Sequence, residues 1–167
     1  MTAEISSPAA VLREHGLAAK KSWGQCFLHD LGVVRRIAQS VRMQQGEAVV
    51  EIGAGLGVLT EALASLELAG RIIAVERDRD LVKVLRQRLD HLARVELVED
   101  NALTLQLEGL GQGPFSVVGN LPYNISSPLL FHLLDQRQWL RAATLMFQKE
   151  VANRICSGPG SKQYGVP

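Results

Sequence analysis

Hydrophobic positions recur along this chain in two rhythms, one helical and one of short unbroken runs, and the two take turns. After Asp30, residues Val33, Val34, Ile37, Ala38 and Val41 return at helical spacing. That spacing predicts a helix capped by Asp30 and ended by Gly46. Compact apolar runs predict buried strands over 48–52, 71–75, 95–98, 115–118 and 142–147. Between them lie predicted helices. One covers 57–68 with Leu59, Leu63 and Leu66 facing inward, and a second, capped by Asp78, carries Leu81, Val82, Leu85, Leu89 and Leu92. Ser127 and Pro128 form an N-cap and first-turn pair for a third helix running through Leu134, and 149–156 is a last helix. Residues 1–7 read as a loose tail and 8–28 as a mixed, basic stretch. There is no internal repeat and no low-complexity segment.

Strand–helix alternation of this kind builds a parallel sheet with helices on both faces. Ligands in such sheets bind beyond the carboxyl ends of the strands. The chemically distinctive residues of the chain fall at those ends.

Composition narrows the class. The chain has 167 residues and is 47% hydrophobic, enough for one domain with a real core. The formal net charge of +1 supplies no global basic field. Lys20, Lys21, Arg35 and Arg36 early and Lys149, Arg154 and Lys162 late are, taken singly, solvated surface charge. Cys26 and Cys156 are far apart and in no metal-like spacing, which argues against a structural disulfide and fits a reducing compartment. His15, His29, His91 and His132 form no ligand spacing, so no metal is expected. No apolar h-region opens the chain and no run is long enough for a bilayer, so a soluble cytoplasmic protein is expected.

The loop after the first strand reads Glu51-Ile-Gly53-Ala-Gly55-Leu-Gly57. Glycines let the backbone turn tightly and approach a ligand. The dinucleotide fingerprint is G-x-G-x-x-G, whereas the spacing here is G-x-G-x-G behind an acid, a poorer pyrophosphate cradle. It resembles the first motif of S-adenosylmethionine methyltransferases, in which the acid belongs to the network around the cofactor's ammonium group. A tight turn with no ligand is the plain alternative. Glu76 ends the second strand, where a carboxylate can accept ribose hydroxyls; it serves either nucleotide cofactor. Glu99, Asp100 and Asn101 end the third strand, either as turn formers or as acceptors for an adenine amine.

The sharpest signal follows the fourth strand: Gly119-Asn120-Leu121-Pro122-Tyr123. The exocyclic amine of adenine is a poor nucleophile because its lone pair is delocalised into the ring. Two acceptors that take its N–H groups favour a pyramidal, attacking geometry. The Asn120 amide oxygen and the Leu121 carbonyl can supply them. Pro122 stiffens the turn, and Tyr123 offers a face on which a flipped base can stack. The plain alternative is a Pro-containing turn with a packed tyrosine.

Taken with Lys21-Ser-Trp-Gly-Gln-Cys-Phe-Leu28, residues 51–60, Gly119-Asn-Leu-Pro-Tyr-Asn-Ile-Ser-Ser-Pro128, Phe147-Gln-Lys-Glu150 and Gly158-Pro-Gly-Ser-Lys162, nearly the whole chain resembles the ribosomal RNA adenine dimethyltransferase family, that is, the kasugamycin-sensitivity methylase and its relatives. Erythromycin-resistance RNA methylases are related. The resemblance implies a Rossmann-like methyltransferase fold that uses S-adenosylmethionine. It also implies two methyl transfers to each of two neighbouring adenines near the 3′ end of small-subunit ribosomal RNA, in an immature 30S particle, by a monomer. Carried over by position, the cofactor contacts are Gln25, Cys26, Leu28, Gly53, Gly55, Glu76, Asn101 and Asn120, and the target base is held by Asn120, Leu121 and Tyr123. On this reading residues 1–29 are an N-terminal cofactor-contacting segment and residues 30–167 are the catalytic domain.

Three departures qualify the resemblance. Position 26 is Cys where the family usually has Asn, and a thiol is a weak hydrogen-bond partner. The family's Asp after the third strand aligns with Asn101, with Asp100 as the alternative. The family fold continues past residue 167 with two more strands, a Pro-rich loop and a small helical domain that grips RNA. The expectation is therefore a chain that lacks those last strands and that domain and leaves its fifth strand as a sheet edge. Two other functions stay open at this point: a cofactor-binding ribosome-assembly module without turnover, and a nicotinamide oxidoreductase.

Overall fold

In a computed structural model, residues 8–20, 25, 27–122, 124–162 and 164–165 are described. Five parallel strands form a sheet in the order β3-β2-β1-β4-β5: β1 (Val49–Ile52), β2 (Ile72–Glu76), β3 (Val95–Glu99), β4 (Phe115–Asn120) and β5 (Leu140–Met146). The order runs outward from β1 in both directions, so the topological switch point lies between β1 and β4. This is the parallel sheet the alternation predicted, in the Rossmann-like form the resemblance implies.

Strand residues alternate between faces, and each face has its own core. Val49, Ile72 and Val118 pack with α1 (Pro8–Glu14), α2 (Leu31–Ser40) and α3 (Val58–Ala64). Ala74 packs with Leu85 and Leu89 of α4 (Arg79–Leu89). On the other face Val50, Ile52, Ile73 and Val117 meet Leu129 and Leu133 of α5 (Ser126–Asp135). Burying each such side chain contributes roughly 1.5–3 kcal/mol, which favours a single strand register over any one-residue slip. A sixth helix, α6 (Lys149–Cys156), follows β5.

Several boundaries differ from the sequence expectation. Helix α2 begins as predicted, with Asp30 Oδ1 accepting from the N–H groups of Gly32 (2.8 Å) and Val33 (3.1 Å). It ends at Ser40, well short of Gly46. Val41 turns extended and buries itself, and the Arg42 carbonyl accepts from Ser116 Oγ on β4 at 2.6 Å. Helix α3 stops at Ala64, with Ser65 as its C-cap, rather than continuing to Leu68. Helix α5 starts at Ser126, with Ile125 rather than Ser127 in the cap position. Pro128 still falls in the first turn, where no intrahelical N–H is required. Strand β5 starts at Leu140, and its register skips Arg141, which turns to pair with Glu47. Helix α1 has no counterpart in the sequence expectation.

Among the described residues, strand β5 pairs only with β4 and stands at one edge of the sheet. No helix among the described residues is long and apolar enough to cross a membrane.

Candidate active site

Four strand ends and the N-terminal stretch converge on one cavity of about 360 Å³, within the roughly 300–1,000 Å³ typical of small-molecule sites. Gly53 and Gly55 come from the turn after β1, Glu76 from the end of β2, Asn101 from the turn after β3 and Asn120 from the end of β4; Gln25 and Leu28 close it from the N-terminal side. The structure thus brings together seven of the residues singled out in the sequence. Leu121 does not line the cavity; its side chain is buried in the core beneath α5. Cys26 and Tyr123 lie outside the described residues.

The glycine turn is built by backbone conformation. Gly53, Gly55 and Gly57 all have positive φ, at 73°, 60° and 81°. At Gly55 space is also tight: a Cβ would stand 3.3 Å from the Phe27 ring. Close approach recurs at Gly119, where a Cβ would lie 2.9 Å from the Ile52 carbonyl oxygen. Gly119 pairs with Ile52 across β1 and β4. Glycine therefore lets the two strand ends that carry the two motifs lie side by side.

The acids of the cavity have distinct environments. Glu51 is 2% exposed and accepts a hydrogen bond from Thr60 Oγ1 on α3 at 2.5 Å. Burial pushes its carboxyl up to about 8; the Thr60 bond works against this and the nearby Glu76 carboxylate adds to it. Glu76 is an acceptor for the protein's own backbone. Its Oε2 takes the Gly55 N–H at 2.9 Å, and Oε1 takes those of Arg77 (2.9 Å) and Asp78 (2.8 Å). A carboxylate has about four acceptor positions, so room remains on Oε2, on the cavity side of the glycine turn. Asn101 Oδ1 accepts from the Leu103 N–H at 3.2 Å, and Asp100 Oδ1 from the Asn101 N–H at 2.6 Å. Asp100 and Asn101 both line the cavity.

Sequence reasoning missed several residues. Phe27 and Ile125 belong to motifs it quoted but had been given no role; both line the cavity, as does Asn124. Thr60 carries no local sign of its bond to Glu51, and Asp78, predicted as a helix cap, none of its bond to Gln25, because each of these pairs forms across the fold. Asp78 Oδ2 accepts from Gln25 Nε2 at 2.8 Å, and Asp78 Oδ1 from Lys20 Nζ at 2.7 Å.

A sequence model described as ribosomal RNA adenine dimethylase matches residues 16–166. The chain belongs to that family. Curated members of this dimethylase family resemble it over most of its length. It is 43% identical to ribosomal RNA small subunit methyltransferase A of Syntrophus aciditrophicus, across 94% of this chain and 57% of the relative. It is 48% identical to the protein of that name from Geobacter sulfurreducens, across 93% and 57%. The chain thus spans somewhat over half the length of these relatives. Among solved structures, a dimethyladenosine transferase from Plasmodium falciparum matches with a TM-score of 0.69 and 31% identity over 83% of this chain and 49% of that one. The 23S rRNA methyltransferase ErmE matches with a TM-score of 0.68 and 31% identity over 77% and 50%. Both agree with the Rossmann-like sheet of this dimethylase-family chain.

Proposed function

We propose that the cavity holds S-adenosylmethionine and that the Asn120 turn presents an adenine amine to it, so that the protein dimethylates N6 of adjacent adenines in small-subunit ribosomal RNA. One observation carries this reading: Ile52 and Gly119 are register partners at the switch point, which sets the glycine turn and the Asn-Leu-Pro turn against one cavity.

The residues fit the cofactor. Glu51 is a buried acid that lines the cavity, suited to the ammonium end of a methionine group, and a cation beside it favours its ionised form. Glu76 Oε2 can take a ribose hydroxyl in addition to the Gly55 N–H. Asn101, with Asp100 beside it, offers an acceptor for the cofactor's adenine amine. Gln25, Leu28 and Phe27 would cover the ligand from the N-terminal side, and Cys26 belongs to the same stretch. When bound, the cofactor supplies an activated methyl group on a sulfonium, with a neutral leaving group.

The protein's own residues prepare the acceptor. The Asn120 amide oxygen and the Leu121 carbonyl would accept the two N–H groups of the target amine and favour its attacking geometry. Tyr123 would stack on the base. No strong base is needed at the start, because the proton leaves after the new bond has made the nitrogen acidic. The partner on this reading is the immature 30S particle, the protein acts as a monomer, and its setting is the cytoplasm.

The test is methyl transfer from labelled S-adenosylmethionine to small subunits that lack the modification, read as N6,N6-dimethyladenosine by nucleoside mass spectrometry. The wild-type chain is expected to transfer label. Asn120→Ala should lose about 100-fold or more, the scale of a lost transition-state hydrogen bond, with a smaller loss of cofactor affinity. Transfer by Asn120→Ala at the wild-type rate would contradict the role, and absence of dimethyladenosine with the wild type would contradict the activity.

A further inference from the structure

Bonded to two residues of the cavity lining, Asp78 sits at a junction that neither the catalytic motifs nor the helix it caps explains. It is 2% exposed, yet both of its carboxylate oxygens are engaged. Oδ1 accepts from Lys20 Nζ at 2.7 Å and, as the N-cap of α4, from the Asp80 N–H at 3.1 Å. Oδ2 accepts from Gln25 Nε2 at 2.8 Å. Gln25 Oε1 in turn accepts the Lys20 backbone N–H at 2.9 Å. The backbone N–H of Asp78 donates to Glu76 Oε1 at 2.8 Å. Asp80 Oδ2 also meets Lys20 Nζ, at 3.0 Å.

Capping α4 requires one acceptor and no charge. Here a charged group is buried and matched by a lysine 58 residues earlier in the chain. Burial pushes the Asp78 carboxyl up, but the bonds from Lys20, Gln25 and the Asp80 N–H outweigh it and hold it below its ordinary 3.8. Asp78 therefore stays ionised near neutrality and keeps its hold on both partners.

We propose that Asp78, with Lys20 as its counter-charge, is a positioning residue that fixes two residues of the cavity lining, Gln25 and Glu76, at once. This rests on the reading of the cavity as the S-adenosylmethionine site. Asp78 touches no ligand itself; it sets the two groups that would. Its side chain orients the Gln25 amide, whose oxygen is committed to Lys20 and whose nitrogen is committed to Asp78. Its backbone N–H orients the Glu76 carboxylate, leaving Oε2 toward the glycine turn. Charge between Lys20 and Asp78 thus ties the N-terminal stretch to the turn after the second strand.

Asparagine caps helices as well as aspartate does, so Asp78→Asn keeps α4 while disturbing the junction. Its Nδ2 must face either the Gln25 amide or the donors now on Oδ1, and each places donor against donor. The experiment compares wild type, Asp78→Asn, Lys20→Met and the double variant. Calorimetry reads the affinity for S-adenosylhomocysteine, and ligand-free hydrogen exchange reads the Lys20 amide. Each single variant is expected to weaken the ligand about tenfold or more, the scale of one charge-assisted hydrogen bond. The double should be little worse than either single, Lys20 amide protection should fall in all three, and Tm should hold in Asp78→Asn. Where turnover is followed, the loss should appear in the KM for the methyl donor rather than in kcat. Wild-type affinity in Asp78→Asn with unchanged Lys20 protection would overturn the proposal, as would additive losses in the double variant. A wild-type chain that does not bind S-adenosylhomocysteine would count against the site reading itself, and Lys20 protection would then decide the junction alone.

Discussion

Glu51 is a buried acid in a strand whose other residues are all buried and apolar. A buried carboxyl is expensive when charged, and the structure meets this with one hydroxyl, Thr60, and a carboxyl held protonated up to about 8. The consequence for stability has a definite sign. Below the ordinary 4.5, folded and unfolded chains both carry the proton; between 4.5 and about 8 only the folded chain keeps it. The folded state then binds more protons than the unfolded one, so stability falls as pH rises through that window, by at most about 1.4 kcal/mol per pH unit. Glu51→Gln removes this titration and keeps an acceptor for Thr60. Urea unfolding at about pH 5 and about pH 8 should show the variant gaining on the wild type at the higher pH. Parallel pH profiles would show that Glu51 ionises normally. The acid itself was legible in the sequence, as the residue opening the glycine turn. Its partner was not, because Thr60 reaches it only once α3 folds back over β1.

At the scale of elements, the pairing of β1 with β4 holds the site together, and Gly119 is its tightest point. A Cβ there would meet the Ile52 carbonyl oxygen at 2.9 Å, a backbone atom with no freedom to yield. Gly119→Ala should separate the two strand ends. It is expected to cost roughly 1–3 kcal/mol, as overpacking does, and to weaken S-adenosylhomocysteine. Urea unfolding and calorimetry check this; an unchanged midpoint with unchanged affinity would contradict it. All five strands and helices α2, α3 and α4 were legible from apolar patterns of their own, and α5 from its Ser-Pro start. Helix α1 was not: it buries only Pro8 and Val11, too sparse a signal for a period. The ends of α2 and β5 were misread because long-range partners set them. Ser116 captures the Arg42 carbonyl, and Arg141 leaves the β5 ladder to reach Glu47. The cavity residues from the strand ends were legible for the opposite reason: a doubly wound sheet gathers whatever follows its strands at one end.

For the whole molecule, the 3-2-1-4-5 strand order opens its crevice between β1 and β4, and both motifs fall there. The chain spans 57% of the length of relatives such as the Geobacter sulfurreducens protein, yet residues from four strand ends and the N-terminal stretch already enclose the cavity. Binding of the methyl donor should therefore be a property of this chain by itself, and the G-x-G-x-G turn should prefer it to a dinucleotide. Calorimetric titration of the chain with S-adenosylhomocysteine, and separately with NAD, tests this most directly. The account predicts saturable one-to-one binding of S-adenosylhomocysteine, weakened by Glu76→Ala, with no comparable heat from NAD. Tight NAD binding without S-adenosylhomocysteine binding would contradict it.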